Sequence, residues 1–301
     1  MRGLPIVLIA LALSAQDAKA RDGSQACNSA QQELKEQERA LEGRRLHEAL
    51  FRVAALNCPS AARDLLARGA SVQARNGQGA SPLAVAAGHG SVEVADLLRA
   101  AGADLSLRDL TGATPLLRAA RNGRRKMVDW LLLQGVDVDA ADKQGITPLI
   151  AAAFNGDLRM LKTLLATDPQ INARESLGKT ALIYAAGRAY PEVVSLLLSA
   201  GADVAATDSH LLTALSWVAG HANDAPANDG IKTAMLLLKA GANVKHRDDR
   251  GRDALMIAAQ RGHAEMVAFL LAEGADATRR DKTGKSAADL AMTPEIAALL
   301  R

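Results

Sequence analysis

The sequence predicts an all-α solenoid, a row of short helix pairs joined by extended, β-hairpin-like fingers. Three observations predict it. The pattern of Ala113–Gly145 recurs along most of the chain with a period near 33 residues, the mark of a stacked repeat architecture. Glycines recur in two registers. One set follows the second helix of each unit (Gly69, Gly102, Gly135, Gly201, Gly241, Gly274), and the other marks a polar turn (Gly79, Gly112, Gly145, Gly178, Gly251, Gly284). The helix starts also repeat, as Ser81-Pro82-Leu83, Thr114-Pro115-Leu116, Thr147-Pro148-Leu149, Thr180-Ala181-Leu182 and Thr213-Ala214-Leu215.

Residues 1–20 read as a secretory signal peptide. Arg2 is followed by the apolar run Leu4–Leu13, and Ala18-Lys19-Ala20 fits a small-residue cleavage site. The run is too short to cross a bilayer, which needs about 20 apolar residues, so no membrane attachment is expected after cleavage. Residues 21–45 read as an N-terminal capping helix. In it Ala30, Leu34 and Leu41 share one side, and Gly43 ends it. Leu46–Leu56 then runs back as the first helix of a degenerate opening repeat. Such a hairpin brings Cys27 near Cys58, the only two cysteines. They form a disulfide or stay as two unpaired thiols; an oxidising compartment permits the bond.

Each unit explains itself locally. Thr114 is a helix N-cap, and Pro115 fits the first helical turn without losing a hydrogen bond. Leu116, Ala119 and Ala120 form one apolar face, Asn122-Gly123 breaks the helix, and Met127, Val128, Leu131 and Leu132 form a second face. Gly135 ends that helix, and the tail to Gly145 forms the finger. The alanine pairs of the first helices (Ala86-Ala87, Ala119-Ala120, Ala152-Ala153, Ala185-Ala186, Ala258-Ala259) let neighbouring helices pack closely. Repeats are placed at 46–79, 80–112, 113–145, 146–178, 179–211, 212–251 and 252–284, with residues 285–301 as a C-terminal cap. No linker divides the array, which reads as one domain.

The repeats resemble the ankyrin family. Three features depart from its pattern. Leu117, Ile150 and Ile183 stand where the family carries a histidine, Leu211 replaces one turn glycine, and the unit 212–251 is seven residues longer than its neighbours. The resemblance implies protein binding through finger tips and the concave face of the first helices. Carried over by position, that face holds Arg118, Arg121, Phe154, Tyr184, Arg188, Trp217 and His221. The chain has seven aromatics in all, so three on successive concave positions form a stripe, of the residue types that dominate binding hot spots. Packing between adjacent helices is the other reading of these rings. Trp130, beside Leu131 and Leu132, reads as core. A ladder of finger arginines (Arg75, Arg108, Arg174, Arg247, Arg280) reads either as an anion surface or as pairs with the neighbouring finger's aspartate.

No catalytic constellation is present in the sequence. Gly178-Lys179-Thr180 and Gly284-Lys285-Ser286 resemble the end of a phosphate loop, but Ala173 and Arg279 stand where its earlier glycine belongs, so both read as finger turn plus helix start. His89 and His263 sit at inter-helix turns and read as structural. The net charge of +3, or +2 without residues 1–20, does not point to nucleic acid. The expected protein is therefore exported to a bacterial periplasm, or secreted elsewhere. It is non-enzymatic, cofactor-free and monomeric when free, and it binds another protein, as accessory factor or toxin antidote. The alternative is a small-ligand or cation site in the groove or in the insertion at 221–230, where His221, Asp224 and Asp229 offer ligands.

Overall fold

The computed structural model describes residues 27–29, 31–32, 43–220 and 227–301. The segment expected as a signal peptide, most of the one expected as a capping helix, His221 and Asp224 lie outside the described residues. The chain forms two compact units divided between Asp137 and Val138, where the sequence reads as one domain. A repeat array has no single core, because each unit touches only its neighbours.

In the first unit three helix pairs are stacked: α1 (Arg44–Leu56) with α2 (Pro59–Ala67), α3 (Pro82–His89) with α4 (Val92–Ala100), and α5 (Pro115–Arg121) with α6 (Arg125–Leu133). The second unit holds α7 (Pro148–Phe154) and α8 (Leu158–Leu165), α9 (Ala181–Gly187) and α10 (Pro191–Ser199), and α11 (Ala214–Ala219) and α12 (Ala227–Lys239). It ends with α13 (Ala254–Arg261) and α14 (Ala264–Ala272), then the short α15 (Ala287–Leu290) and α16 (Pro294–Leu299). Within each unit first helices pack on first helices and second helices on second helices, giving two layers. The alanine pairs make the first layer possible: Ala86, Ala87, Ala119, Ala120, Ala152, Ala153, Ala185, Ala186, Ala258 and Ala259 are fully buried. Between the layers lie leucines such as Leu65, Leu98 and Leu131, each contributing roughly 2 kcal/mol by leaving water.

Capping follows the sequence closely. Ser81, Thr114, Thr147, Thr180 and Thr213 each accept a hydrogen bond from the backbone N–H three residues on. Asp253 does the same for Met256, and Ser286 and Asp289 close a reciprocal capping box.

The fingers are turns rather than strands. Among the described residues the only β pairing is two isolated antiparallel bridges, Thr207 with Thr213 and Arg280 with Ser286. The first finger closes on the part-buried Asn76, and each later one on a buried acid. Asp109 Oδ1 accepts from the N–H groups of Thr111 (2.8 Å) and Ala113 (3.1 Å). Asp142, Asp208, Asp248 and Asp281 repeat that pattern, and Glu175 repeats it with both oxygens. Within each unit neighbouring fingers are then joined by one backbone bond each, such as Ser209 N–H to Leu177 O at 2.8 Å. Leu211 keeps the glycine geometry it replaces, with a left-handed φ of 61°.

Residues 27–29 and 31–32 are helical. Cys27 and Cys58 stand at disulfide distance, with Cα atoms 5.5 Å apart. Gln31 Nε2 donates to Ser60 Oγ beside them.

Candidate functional site

In the second unit, α7, α9 and α11 lie side by side and bring three aromatic rings onto one face. Phe154 ends α7, Tyr184 lies within α9 and Trp217 within α11. None is sealed in the stack: Phe154 is 41% exposed, and Tyr184 and Trp217 are half-buried. Phe154 and Tyr184 meet edge to face, with centroids 5.7 Å apart and planes at 83°. Gly187 lets Trp217 come close, since a Cβ there would stand 3.2 Å from the indole ring.

Two cations cover these rings. The Arg188 guanidinium lies 4.2 Å over the Phe154 ring. The Lys179 ammonium lies 4.0 Å over the Trp217 ring and 5.4 Å from the Tyr184 centroid. Exposed contacts of this kind contribute about 0.5–1 kcal/mol each, enough to bias the rotamers. The indole Nε1–H of Trp217 donates to Asp208 Oδ2 at 3.0 Å, which fixes the ring's tilt. Burial, with the Glu175 carboxylate nearby, pushes the Tyr184 phenol above its ordinary value, so the ring stays a neutral donor.

Of the expected partner-binding residues, Phe154, Tyr184, Arg188 and Trp217 thus share one face. His221 lies outside the described residues. Arg118 and Arg121 belong to the first unit. There Arg118 Nη1 donates to Asp109 Oδ2 at 2.6 Å, the arginine side chain being 22% exposed and the aspartate 4%. Burial pushes the Asp109 carboxyl upward. The Thr111 hydroxyl, the two backbone N–H groups and Arg118 outweigh it and hold the group below its ordinary value. Arg121 is half-buried at the end of α5.

Sequence reasoning missed Lys179, which drew attention only as part of a discarded phosphate-loop fragment. The signal was available: Lys179 stands immediately before a helix cap, in register with Arg252, whose guanidinium bonds Asp281 at 2.9 Å and Gln260 at 2.7 Å. A long cation at that position reaches across the first helices. Three of the finger arginines take neither of the roles expected for them, whereas Arg280 lies 3.4 Å from Asp289. Arg75, Arg174 and Arg247 each donate to the glycine carbonyl of their own finger turn and to a carbonyl of the next finger, Arg108 O, Thr207 O and Arg280 O respectively. They staple backbone to backbone and do not pair with aspartates. Trp130 is half-exposed on α6, not core. His263 is structural: its Nδ1 lies 2.9 Å from Ala219 O. The discarded phosphate-loop fragments are capped helix starts. Among the described residues no group of three or more His, Cys, Asp or Glu is placed to hold a metal ion, and no helix is long and apolar enough to cross a membrane.

Two family models match the sequence. One, for ankyrin repeats in three copies, matches residues 50–142 and 119–208. The other, for ankyrin repeats in many copies, matches residues 237–291. The chain belongs to the ankyrin-repeat family. No curated protein matches it. Ankyrin repeats are generally protein–protein interaction modules and typically non-catalytic, which directs attention to the surface of this ankyrin array.

Proposed function

We propose that this ankyrin-repeat protein is a non-catalytic binding protein that docks a partner polypeptide on the face of α7, α9 and α11. One observation carries the reading. In a chain with seven aromatics, three lie together on a single face, part-exposed, with a cation over two of them. Core packing needs no such arrangement, whereas a partner offering apolar side chains would bury rings already held in place, at low entropic cost. Trp217, Tyr184 and Phe154 act as anchors and Arg188 orients the bound chain.

Residues 1–20 support export, and the cysteine pair suits an oxidising compartment. The biological role we propose is that of an exported accessory or antidote protein. The test is recovery of partners from periplasmic extract by the wild-type chain and by the Trp217→Ala/Arg188→Ala double variant, with folding of both checked by circular dichroism. Partners retained by wild type and lost by the variant are expected. Equal recovery by the two removes the docking face. Thiol labelling of the exported protein tests its compartment, with two protected cysteines as the expected result.

A further inference from the structure

The charges around the aromatic face are unevenly satisfied. The carboxylates next to it are used up inside the fold. Asp208 accepts from Trp217, His210 and Leu212, and Glu175 accepts from Ser176, Leu177 and Lys179 N–H. Both are buried. The cations are not used up. Neither Lys179 Nζ nor the Arg188 guanidinium has a carboxylate or carbonyl partner among the described residues; each rests only on aromatic rings. Several arginines at finger and helix-start positions of the second unit are satisfied within the fold. Arg252 bonds Asp281, Arg250 bonds Asp248, and Arg174 and Arg247 bond finger carbonyls. A cation that rests on a ring and lacks an acceptor keeps N–H donors free for a bound carboxylate.

On the docking reading above, we infer that the partner segment is acidic: an extended polypeptide whose Asp or Glu carboxylates pair with Lys179 and Arg188 while apolar neighbours cover Trp217, Tyr184 and Phe154. A partly desolvated carboxylate would be bidentate on Arg188 and point-paired on Lys179. Single-stranded nucleic acid combines negative charge with stacking, but it needs open ring faces. Here Lys179 lies over Trp217 and Arg188 over Phe154, and Tyr184 is turned edge-to-face with Phe154. The cations would have to leave before a base could stack on those covered faces.

The experiment is selection of a random 12-residue peptide library displayed on phage against the immobilised full chain, with every selected peptide then assayed on the Lys179→Glu/Arg188→Glu variant. These two substitutions lie on part-exposed side chains, so the variant keeps its fold, as circular dichroism will check. The selected peptides are expected to carry an excess of Asp and Glu. Made synthetically, they should lose at least about tenfold in affinity on Lys179→Glu, and again when their own Glu residues become Gln. Their binding should also weaken as salt rises from about 50 to about 300 mM. Neutral peptides that need Trp217 but tolerate Lys179→Glu would overturn the acidic partner and leave the docking face standing. Selection of no peptide that needs either Trp217 or the cations would overturn the acidic partner, and the extract experiment would then decide the docking face separately. Oligothymidylate binding that depends on Lys179 and Trp217 would overturn it in favour of nucleic acid.

Discussion

Arg118 in the first unit and Trp217 in the second occupy the same place in their repeats. Each follows a buried finger aspartate by nine residues and donates to its Oδ2, Arg118 to Asp109 at 2.6 Å and Trp217 to Asp208 at 3.0 Å. The consequences differ. In the first unit the donor is a cation, and the bond consumes it. The neighbouring polar side chains are consumed too, with Asn122 Nδ2 and Arg124 Nε both donating to Gly88 O. In the second unit the donor is an indole, which satisfies the aspartate through its edge and leaves its ring face outside, under Lys179. One scaffold position therefore serves cohesion in one unit and, on the proposed docking face, recognition in the other, according to whether the donor's whole polar group is needed for the bond.

Removing the acceptor from the cohesive version has the largest expected effect. Asp109→Ala strands the Arg118 guanidinium and two backbone N–H groups, and should cost about 3–4 kcal/mol in urea unfolding. Trp217→Phe removes a single N–H donor at the same register and should cost about 1 kcal/mol. Arg118→Ala should likewise weaken stability and leave partner capture intact, the reverse of Arg188→Ala. Equal stability losses at Asp109 and Trp217 would erase the contrast. It also has an acid signature. The Asp109 carboxyl sits below its ordinary value of 3.8, so its stabilisation is complete above that value and is lost as pH falls through the lower, folded-state value. Acid unfolding of wild type should show this loss between those two values, and the Asp109→Ala variant should not.

Next in size comes a change to the scaffold that both roles share. Gly145 has a φ of 79°, and a Cβ there would stand 2.9 Å from the Glu175 Cα, which is backbone and cannot swing aside. Gly145→Ala should therefore cost about 2 kcal/mol by the same urea measurement. At Asp253 the expected change is a gain. The repeats from Ser81 to Thr213 cap this helix with Ser or Thr, whereas Asp253 brings a buried carboxyl, and burial raises it above the ordinary 3.8 despite the Met256 N–H and Arg279. Asp253→Ser keeps a capping oxygen and removes a buried charge. It should stabilise by on the order of 0.5–1 kcal/mol at neutral pH. Because the raised group favours its protonated form in the fold, this gain should shrink as pH falls below the folded-state value.

The architecture was legible because it depends on short-range rules. A threonine before Pro-Leu caps its helix wherever it occurs, and an alanine pair admits a neighbouring helix whatever lies beyond it. The aromatic face was legible for a related reason: Phe154, Tyr184 and Trp217 recur in repeat register, and register is what a stack converts into adjacency. What the sequence concealed were side chains whose partners are chosen by reach. The finger acids looked like partners of the finger arginines, yet each closes its own turn through two backbone N–H groups, and Asp109, Asp248 and Asp281 pair with Arg118, Arg250 and Arg252 instead. Arg75, Arg174 and Arg247 read as an anion surface or as aspartate pairs, yet they bond carbonyls, because the finger acids are already occupied. Lys179 followed from neither rule, and only comparison with Arg252 at the same register would have directed it toward Trp217.

The smallest effect tests whether the finger turn tolerates a side chain where the family pattern has glycine. Leu211 is 48% exposed and held at a φ of 61°, while its N–H still bonds Asp208 O at 3.0 Å, as Gly178 N–H bonds Glu175 O. A left-handed backbone costs a branched side chain about 1–2 kcal/mol. Glycine removes that strain but gives back up to about 1 kcal/mol through the entropy of the unfolded chain. Leu211→Gly should therefore stabilise by only about 0.5 kcal/mol, read as a small rise in the urea midpoint with unchanged slope. A loss of stability instead would mean that the exposed leucine packs usefully on its neighbours, and that this finger, like the aromatic face beside it, trades backbone comfort for a side chain.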